Sequence, residues 1–125
     1  MRLLLDTHIF LRAIAGSREL KIGVRRLIET ADEVYVSAAS IWEIGIKSRL
    51  GKLRANPVSC AAAIVESGFA ELPVSALHAA GVAALENHHG DPFDRLLISQ
   101  ALAEPLRLVT ADATLVRYSD VVLLV

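Results

Sequence analysis

Short apolar runs, none longer than a strand, alternate along this chain with stretches of helical spacing, and that alternation limits the folds open to it more than any other feature. Arg2 to Leu5, Glu33 to Val36, Phe69 to Leu72, Leu106 to Val109 and Val121 to Val125 read as strands, the last suited to a sheet edge. Ile9, Phe10, Ala13 and Ile14 recur at helical spacing up to Gly16, and Leu20, Val24, Leu27 and Ile28 mark a second helix over Glu19 to Thr30. Ser37 caps a helix running to about Arg49, Pro57 opens one that reaches Ser67, and Ser75 to Glu86 reads as an alanine-rich helix. Asn87-His88-His89-Gly90 reads as a loop, after which Asp91 caps a helix with Pro92 in its first position and an end before Pro105. Thr110 to Asp112 then leads into a short helical turn. Strands that alternate with helices favour a parallel sheet covered on both faces. The expected class is α/β, a three-layer α/β/α sandwich around a mainly parallel sheet, in one domain over residues 1–125 because no linker or repeat divides the chain.

A chain of 125 residues can bury a core without disulfides or a structural metal. The single cysteine, Cys60, lies in the alanine-rich Ser59-Cys60-Ala61 segment and reads as a packed thiol. The longest uninterrupted apolar stretch, Cys60 to Val65, falls far short of the roughly 18 residues a membrane span needs, so none is expected. Three leucines before Asp6 are too few for a secretory signal, and the default compartment is the cytoplasm. The 54% hydrophobic content is high for so small a chain and should leave apolar surface for an oligomer or a tight complex. A net charge of −1 gives no global attraction to nucleic acid, so binding of that kind would need a local basic patch.

Four acids stand where a strand ends or a helix turns its polar side: Asp6 after Arg2-Leu3-Leu4-Leu5, Glu43 in Ile41-Trp42-Glu43-Ile44, Asp94 in Asp91-Pro92-Phe93-Asp94, and Asp112 in Leu108-Val109-Thr110-Ala111-Asp112. In an open α/β sheet ligands bind beyond the carboxyl ends of the strands, where these acids would converge. Each also has a plain explanation: Asp6, Asp91 and Asp112 precede helical segments and suit caps, Asp94 suits a capping box, and Glu43 lies four residues before Lys47, the spacing of an ion pair. Against these stands the apolar company of Asp94 and Glu43, beside Phe93, Trp42 and Ile44, since half-buried carboxylates are costly unless paired, hydrogen-bonded or bound to metal. Oxygen donors without cysteine favour Mg²⁺ or Mn²⁺ over zinc, and such ions activate water for attack on a phosphodiester.

The blocks Leu4-Leu5-Asp6-Thr7-His8, Trp42-Glu43-Ile44-Gly45-Ile46-Lys47, Asp91-Pro92-Phe93-Asp94-Arg95-Leu96-Leu97-Ile98-Ser99-Gln100-Ala101 and Leu108-Val109-Thr110-Ala111-Asp112, in this order, resemble the PIN-domain family and within it the VapC-type toxins. The resemblance covers essentially the whole chain. It implies a PIN-like fold and a Mg²⁺- or Mn²⁺-dependent endoribonuclease, the toxin of a type II toxin-antitoxin system. The family's metal-binding acids match Asp6, Glu43, Asp94 and Asp112, and the hydroxyl beside the last acid matches Thr110. A cognate VapB-type antitoxin and a toxin homodimer are also implied.

Lys47, Arg49, Lys52 and Arg54 crowd together beyond Glu43, with Arg12 and Arg95 near other acids, which suits a track for an RNA backbone or simply a solvated helix end. Arg95 follows Asp94 directly, and an ion pair with a neighbouring carboxylate is its alternative role. Asp91 is read as a cap, Thr7 and Thr110 as partners for the acids or as ordinary β-formers, and His8 as within reach of substrate; His88 and His89 lack the spacing of a zinc site. A phosphorelay receiver would need adjacent acids after the first strand and an acid after Val34-Tyr35-Val36-Ser37, and a haloacid-dehalogenase-like phosphatase would need an acid where His8 stands. The remaining alternative is a PIN-fold interaction module with little catalysis.

Overall fold

A computed structural model describes residues 1–86 and 90–125. Five strands, β1 (Arg2–Leu5), β2 (Glu33–Ser37), β3 (Ala70–Leu72), β4 (Arg107–Thr110) and β5 (Val122–Leu124), form one sheet in the order β3-β2-β1-β4-β5, and all neighbouring pairs are parallel. Side chains of a strand point alternately to its two faces. Leu3 and Leu5 accordingly join Val34, Val36 and Val109 on one face, while Leu4 joins Leu72, Leu108 and Val122 on the other. Both faces are covered, and all three leucines of β1 are fully buried. The first face packs against α1 (Thr7–Ala15) through Ile9 and Phe10, α2 (Ile22–Thr30) through Val24, α3 (Ala38–Arg49) through Ile44 and α4 (Pro57–Glu66) through Cys60 and Ile64. The second packs against α6 (Pro92–Ala103) through Leu97, Ile98 and Ala101, and against the 3₁₀ turn Ala113–Tyr118 through Leu115. The three-layer sandwich expected from the sequence is present, with β5 at an edge. Cys60 is a packed thiol, and burial raises its pKa.

Two helices are shorter than their apolar spacing suggests. The helix expected from Glu19 begins at Ile22, because Ser17 gathers the preceding residues into a turn: its hydroxyl accepts from Glu19 N and its carbonyl from Leu20 N. The Arg25 guanidinium also donates to the Ser17 and Leu20 carbonyls and fixes that turn. The helix expected over Ser75 to Glu86 is α5 (Ala76–Gly81) followed by a 3₁₀ turn, Val82–Ala84. Gly81 is a poor helix former, and a Cβ there would stand 2.5 Å from Ser99 Oγ, so glycine is what lets α5 lie against α6. The Arg95 guanidinium donates to the Val82, Leu85 and Glu86 carbonyls and takes over the end of this segment. The loop expected at Asn87-His88-His89 lies outside the described residues.

The chain winds from β1 out to β3, then returns to the far side of β1 for β4 and β5. The direction of winding therefore reverses between β1 and β4, the position at which doubly wound sheets place their ligand sites.

Candidate active site

Sheet register assembles the first part of the site. Leu5 pairs with Val109 on one side and Val36 on the other, so the next residues, Asp6, Thr110 and Ser37, stand abreast at the carboxyl ends of three strands. Asp6 N donates to the Val109 carbonyl at 3.0 Å and holds that alignment. The two Asp6 carboxylate oxygens have different partners. Oδ1 caps α1 by accepting from Ile9 N at 2.8 Å, and Oδ2 accepts from the Thr110 hydroxyl at 2.5 Å. Thr110 Oγ1 in turn accepts from Asp112 N at 3.1 Å, which ties the loop carrying Asp112 to Asp6 through one hydroxyl. Asp112 itself caps the following turn, with Oδ1 accepting from Thr114 N at 3.0 Å and from the Thr114 hydroxyl at 2.7 Å.

Glu43 enters from α3 and is almost wholly buried, at 3% exposure. Its Oε1 lies 2.6 Å from Thr7 Oγ1, which lies 2.9 Å from Ser40 Oγ. A hydroxyl has one proton, so Thr7 donates to the carboxylate and Ser40 donates to Thr7. Glu43 Oε2 accepts from Lys47 Nζ at 2.5 Å, the ion pair expected at this spacing, but with its acidic end buried. Ser40 was not legible as a site residue, although its place one turn before Glu43 puts both on the same helix face.

Electrostatics joins the two parts. Burial raises the Asp6 pKa, opposed by its hydrogen bonds from Thr110 and Ile9, and the Glu43 charge pushes it the same way as burial. The Lys47 pKa is raised, first by the hydrogen bond to Glu43 and further by the fields of Asp91 and Asp94. Asp94 and Asp91 thus face the same cation as Glu43. Asp91 caps α6 through Phe93 N at 2.8 Å and Asp94 N at 3.2 Å, as expected, and Asp94 is half-buried on the first turn.

The basic residues separate. Lys47 is bound into the acidic cluster, whereas Arg49, Lys52 and Arg54 are exposed at and beyond the end of α3. Arg12 pairs with Glu19 at 3.3 Å. Arg95 donates to backbone carbonyls and to Tyr118 Oη at 3.1 Å, so its guanidinium braces residues 82–86. His8 is exposed on α1, where its charge acts on Asp6. Sequence reading passed over His78. Its buried ring accepts from Ser75 N at Nδ1, and its Nε2 lies 2.6 Å from Glu104 Oε2.

A Mg²⁺ or Mn²⁺ ion fits this donor set in one form. Among the described residues, no three carboxylate, thiol or imidazole groups converge as a closed metal cage would require. Mg²⁺, however, keeps several waters and is gripped by one or two carboxylates, and the buried Asp6 within the field of Glu43 supplies these with only oxygen donors. A cation beside Asp6 would relieve the charge that burial opposes. A surface cleft of about 460 Å³ lies elsewhere, among Arg25, Glu29, Asp32, Glu33 and Phe69 at the opposite end of the sheet.

The PIN domain family profile matches residues 3–121. The chain belongs to the PIN-domain family. It is of the VapC type, being 32% identical over 114 residues, 90% of this chain and 88% of the other, to the ribonuclease VapC22 of Mycobacterium tuberculosis. This PIN domain also superposes on the crystal structure of VapBC2 from Rickettsia felis bound to a promoter DNA fragment, with a TM-score of 0.72 at 20% identity over 100% of this chain and 98% of that one. On Mycobacterium tuberculosis VapC20, a sarcin-ricin loop cleaving toxin, the TM-score is 0.61 at 18% identity over 94% and 97% of the two chains. These two likenesses bear on the fold. No helix among the described residues of this PIN domain is long and apolar enough to cross a membrane.

Proposed function

We propose that this chain, as a single PIN domain over residues 1–125, is a metal-dependent endoribonuclease and the toxin of a type II toxin-antitoxin pair. The observation that carries the reading is the buried Asp6 carboxylate, held at the sheet's switch point by Thr110 and within the field of Glu43. Asp6 and Glu43 would hold Mg²⁺ or Mn²⁺ directly, with Asp94 and Asp112 meeting it through the waters such an ion keeps, and the ion when bound supplies an acidified water and countercharge for the departing oxygen. Thr110 fixes the direction of the Asp6 carboxylate and couples it to the Asp112 backbone. Thr7 and Ser40 orient one oxygen of Glu43, and Lys47 binds the other. Arg49 and Lys52, exposed at and beyond the end of the helix that carries Glu43, would give an RNA phosphate backbone a favourable approach. The Arg95 guanidinium, engaged with the Val82 and Glu86 carbonyls, braces that segment instead of meeting phosphate.

Kinship with the ribonuclease VapC22 supports RNA as the substrate, and likeness to toxin-antitoxin complexes from Rickettsia felis and Klebsiella pneumoniae supports a VapB-type antitoxin as the partner. Exposed Val58, Val65 and Leu77 are consistent with contacts in a homodimer or with that antitoxin. The cytoplasm is the compartment in which such a toxin meets its RNA.

The test is cleavage of total cellular RNA by the purified, antitoxin-free chain with Mg²⁺, Mn²⁺ or EDTA, beside Asp6→Asn and Asp94→Asn. Cuts at a few sites that need metal and vanish in both variants are expected. Cutting that survives EDTA or both substitutions would overturn the site, and no cutting by folded, metal-supplied protein would favour a PIN-fold interaction module.

A further inference from the structure

Two aromatic residues stand one position before two of the acids: Trp42 precedes Glu43 on α3, and Phe93 precedes Asp94 on α6. Their rings meet edge to face, with centroids 5.1 Å apart and planes inclined at 74°. Phe93 is half-buried and Trp42 is 62% exposed. The contact joins the two helices that carry Glu43 and Asp94, which places the pair at the rim of the acidic site. The edge contact holds the indole orientation while leaving most of its surface in water. Exposing a tryptophan forgoes one of the largest apolar burials a side chain offers.

We propose that the Trp42–Phe93 pair is a stacking platform for one unpaired base of the RNA, next to the phosphodiester that is cut. This rests on the ribonuclease reading and names what the site's rim recognises. Unpaired bases are held on aromatic faces beside cationic groups that follow the phosphates, and such stacking tolerates any base. The charge around the pair matches that occupant. Lys47 lies on the same helix, and exposed Arg49 and Lys52 continue beyond it, so a strand with its base on Trp42 would meet positive charge along its backbone. The rival occupant is a second copy of the chain, since Ile46 and Leu50 extend an exposed apolar row from Trp42. Interface cores are depleted of charged residues, whereas Trp42 borders the Glu43–Lys47 ion pair, which favours the base.

Trp42 is the chain's single tryptophan, so native fluorescence reports this position alone. Antitoxin-free protein in EDTA is titrated with oligouridine and with an abasic ribose-phosphate strand of the same length, and RNA cleavage by the same preparation is measured with Mg²⁺. Oligouridine should quench the emission and the abasic strand should not. Trp42→Leu should bind oligouridine about tenfold more weakly with an unchanged salt dependence, and Trp42→Phe should recover most of the affinity. Should Trp42→Leu fail to fold, quenching of the wild type and the affinity of Trp42→Phe still decide. Equal quenching by both strands, or full affinity in Trp42→Leu, would overturn the platform. So would an emission shift that follows protein concentration without RNA, together with a dimer lost in Trp42→Leu, which would assign the face to a second copy. A wild type that cuts RNA with unquenched Trp42 sinks the platform alone; one that neither cuts nor binds RNA sinks the ribonuclease reading and the platform with it.

Discussion

The two ends of the sheet carry the same residue types under opposite electrostatics. At the amino ends of the strands, Asp32 pairs with the Met1 ammonium and Glu33 with Arg2 and the half-buried Tyr35, the charged groups lying in water. Those partners lower both acidic pKa values, led by the hydrogen bond from the chain terminus for Asp32 and from Tyr35 for Glu33. At the carboxyl ends, Asp6 is buried, belongs to none of the ion pairs among the described residues, and has its pKa raised. The first arrangement is complete as it stands, while the second leaves a buried negative charge only partly compensated. The contrast distinguishes a surface ion pair from a candidate cation site better than a count of acids does. A cleft beside Asp32 and Glu33 therefore carries less chemical meaning than the buried carboxylate of Asp6.

The contrast is broken most directly at Asp6. Asp6→Asn should lower metal-dependent RNA cleavage at least about a hundredfold, a loss of several kcal/mol at the transition state, while Asp32→Asn leaves the cleavage rate unchanged. Equal losses would mean that position on the sheet is irrelevant. Thr110→Val removes only the hydroxyl that orients Asp6 and joins it to Asp112, and a ten- to hundredfold loss in activity or metal affinity is expected, on the order of that for other supports of ligating groups. Isothermal titration with Mn²⁺ beside kinetics would separate the two.

Lys47→Ala leaves the buried Glu43 charge without its cation. A loss of about 1–3 kcal/mol in denaturant unfolding is expected, less than for a fully buried pair because Lys47 keeps 32% of its side chain exposed. Arg2→Ala, at the other end, should leave the unfolding midpoint where it was.

The smallest effect is one of pH. A carboxyl whose folded pKa lies above its unfolded value contributes stability that is full below the ordinary Asp pKa of about 4 and is lost as pH rises through the raised value. Metal-free Asp6→Asn should thus melt above the wild type at neutral pH, and the difference should vanish in acid. Mg²⁺ should raise the wild-type midpoint and leave that of Asp6→Asn unmoved. A metal-free variant that melts below the wild type at neutral pH would show that Asp6 acts chiefly as a cap.

Capping does not compete with site membership. Asp6, Asp91 and Asp112 all cap, as their places before helical segments suggested, and Asp6 still presents a second oxygen to Thr110. A carboxylate has acceptor capacity for both duties. The trimmed helices have a similar cause. Leu20 and the alanine-rich run after Ser75 have helical spacing, but Ser17, Arg25 and Arg95 take up backbone groups that a longer helix would use. Those competitors act across several residues and leave no trace in apolar periodicity.

The sequence by itself determined the kinds of elements, the burial of the strands on both faces and the presence of acids at strand ends, because apolar period and capping chemistry are local properties. Tertiary structure alone decided which acids share a field and which side chains hold them. Thr110 reaches Asp6 across 104 positions of chain because sheet register puts them abreast. The facing rings of Trp42 and Phe93, and the meeting of His78 with Glu104, likewise depend on the rotation and spacing of packed helices. Hydrogen bonds and ring contacts act over a few ångströms, and only the folded backbone brings distant residues within that range.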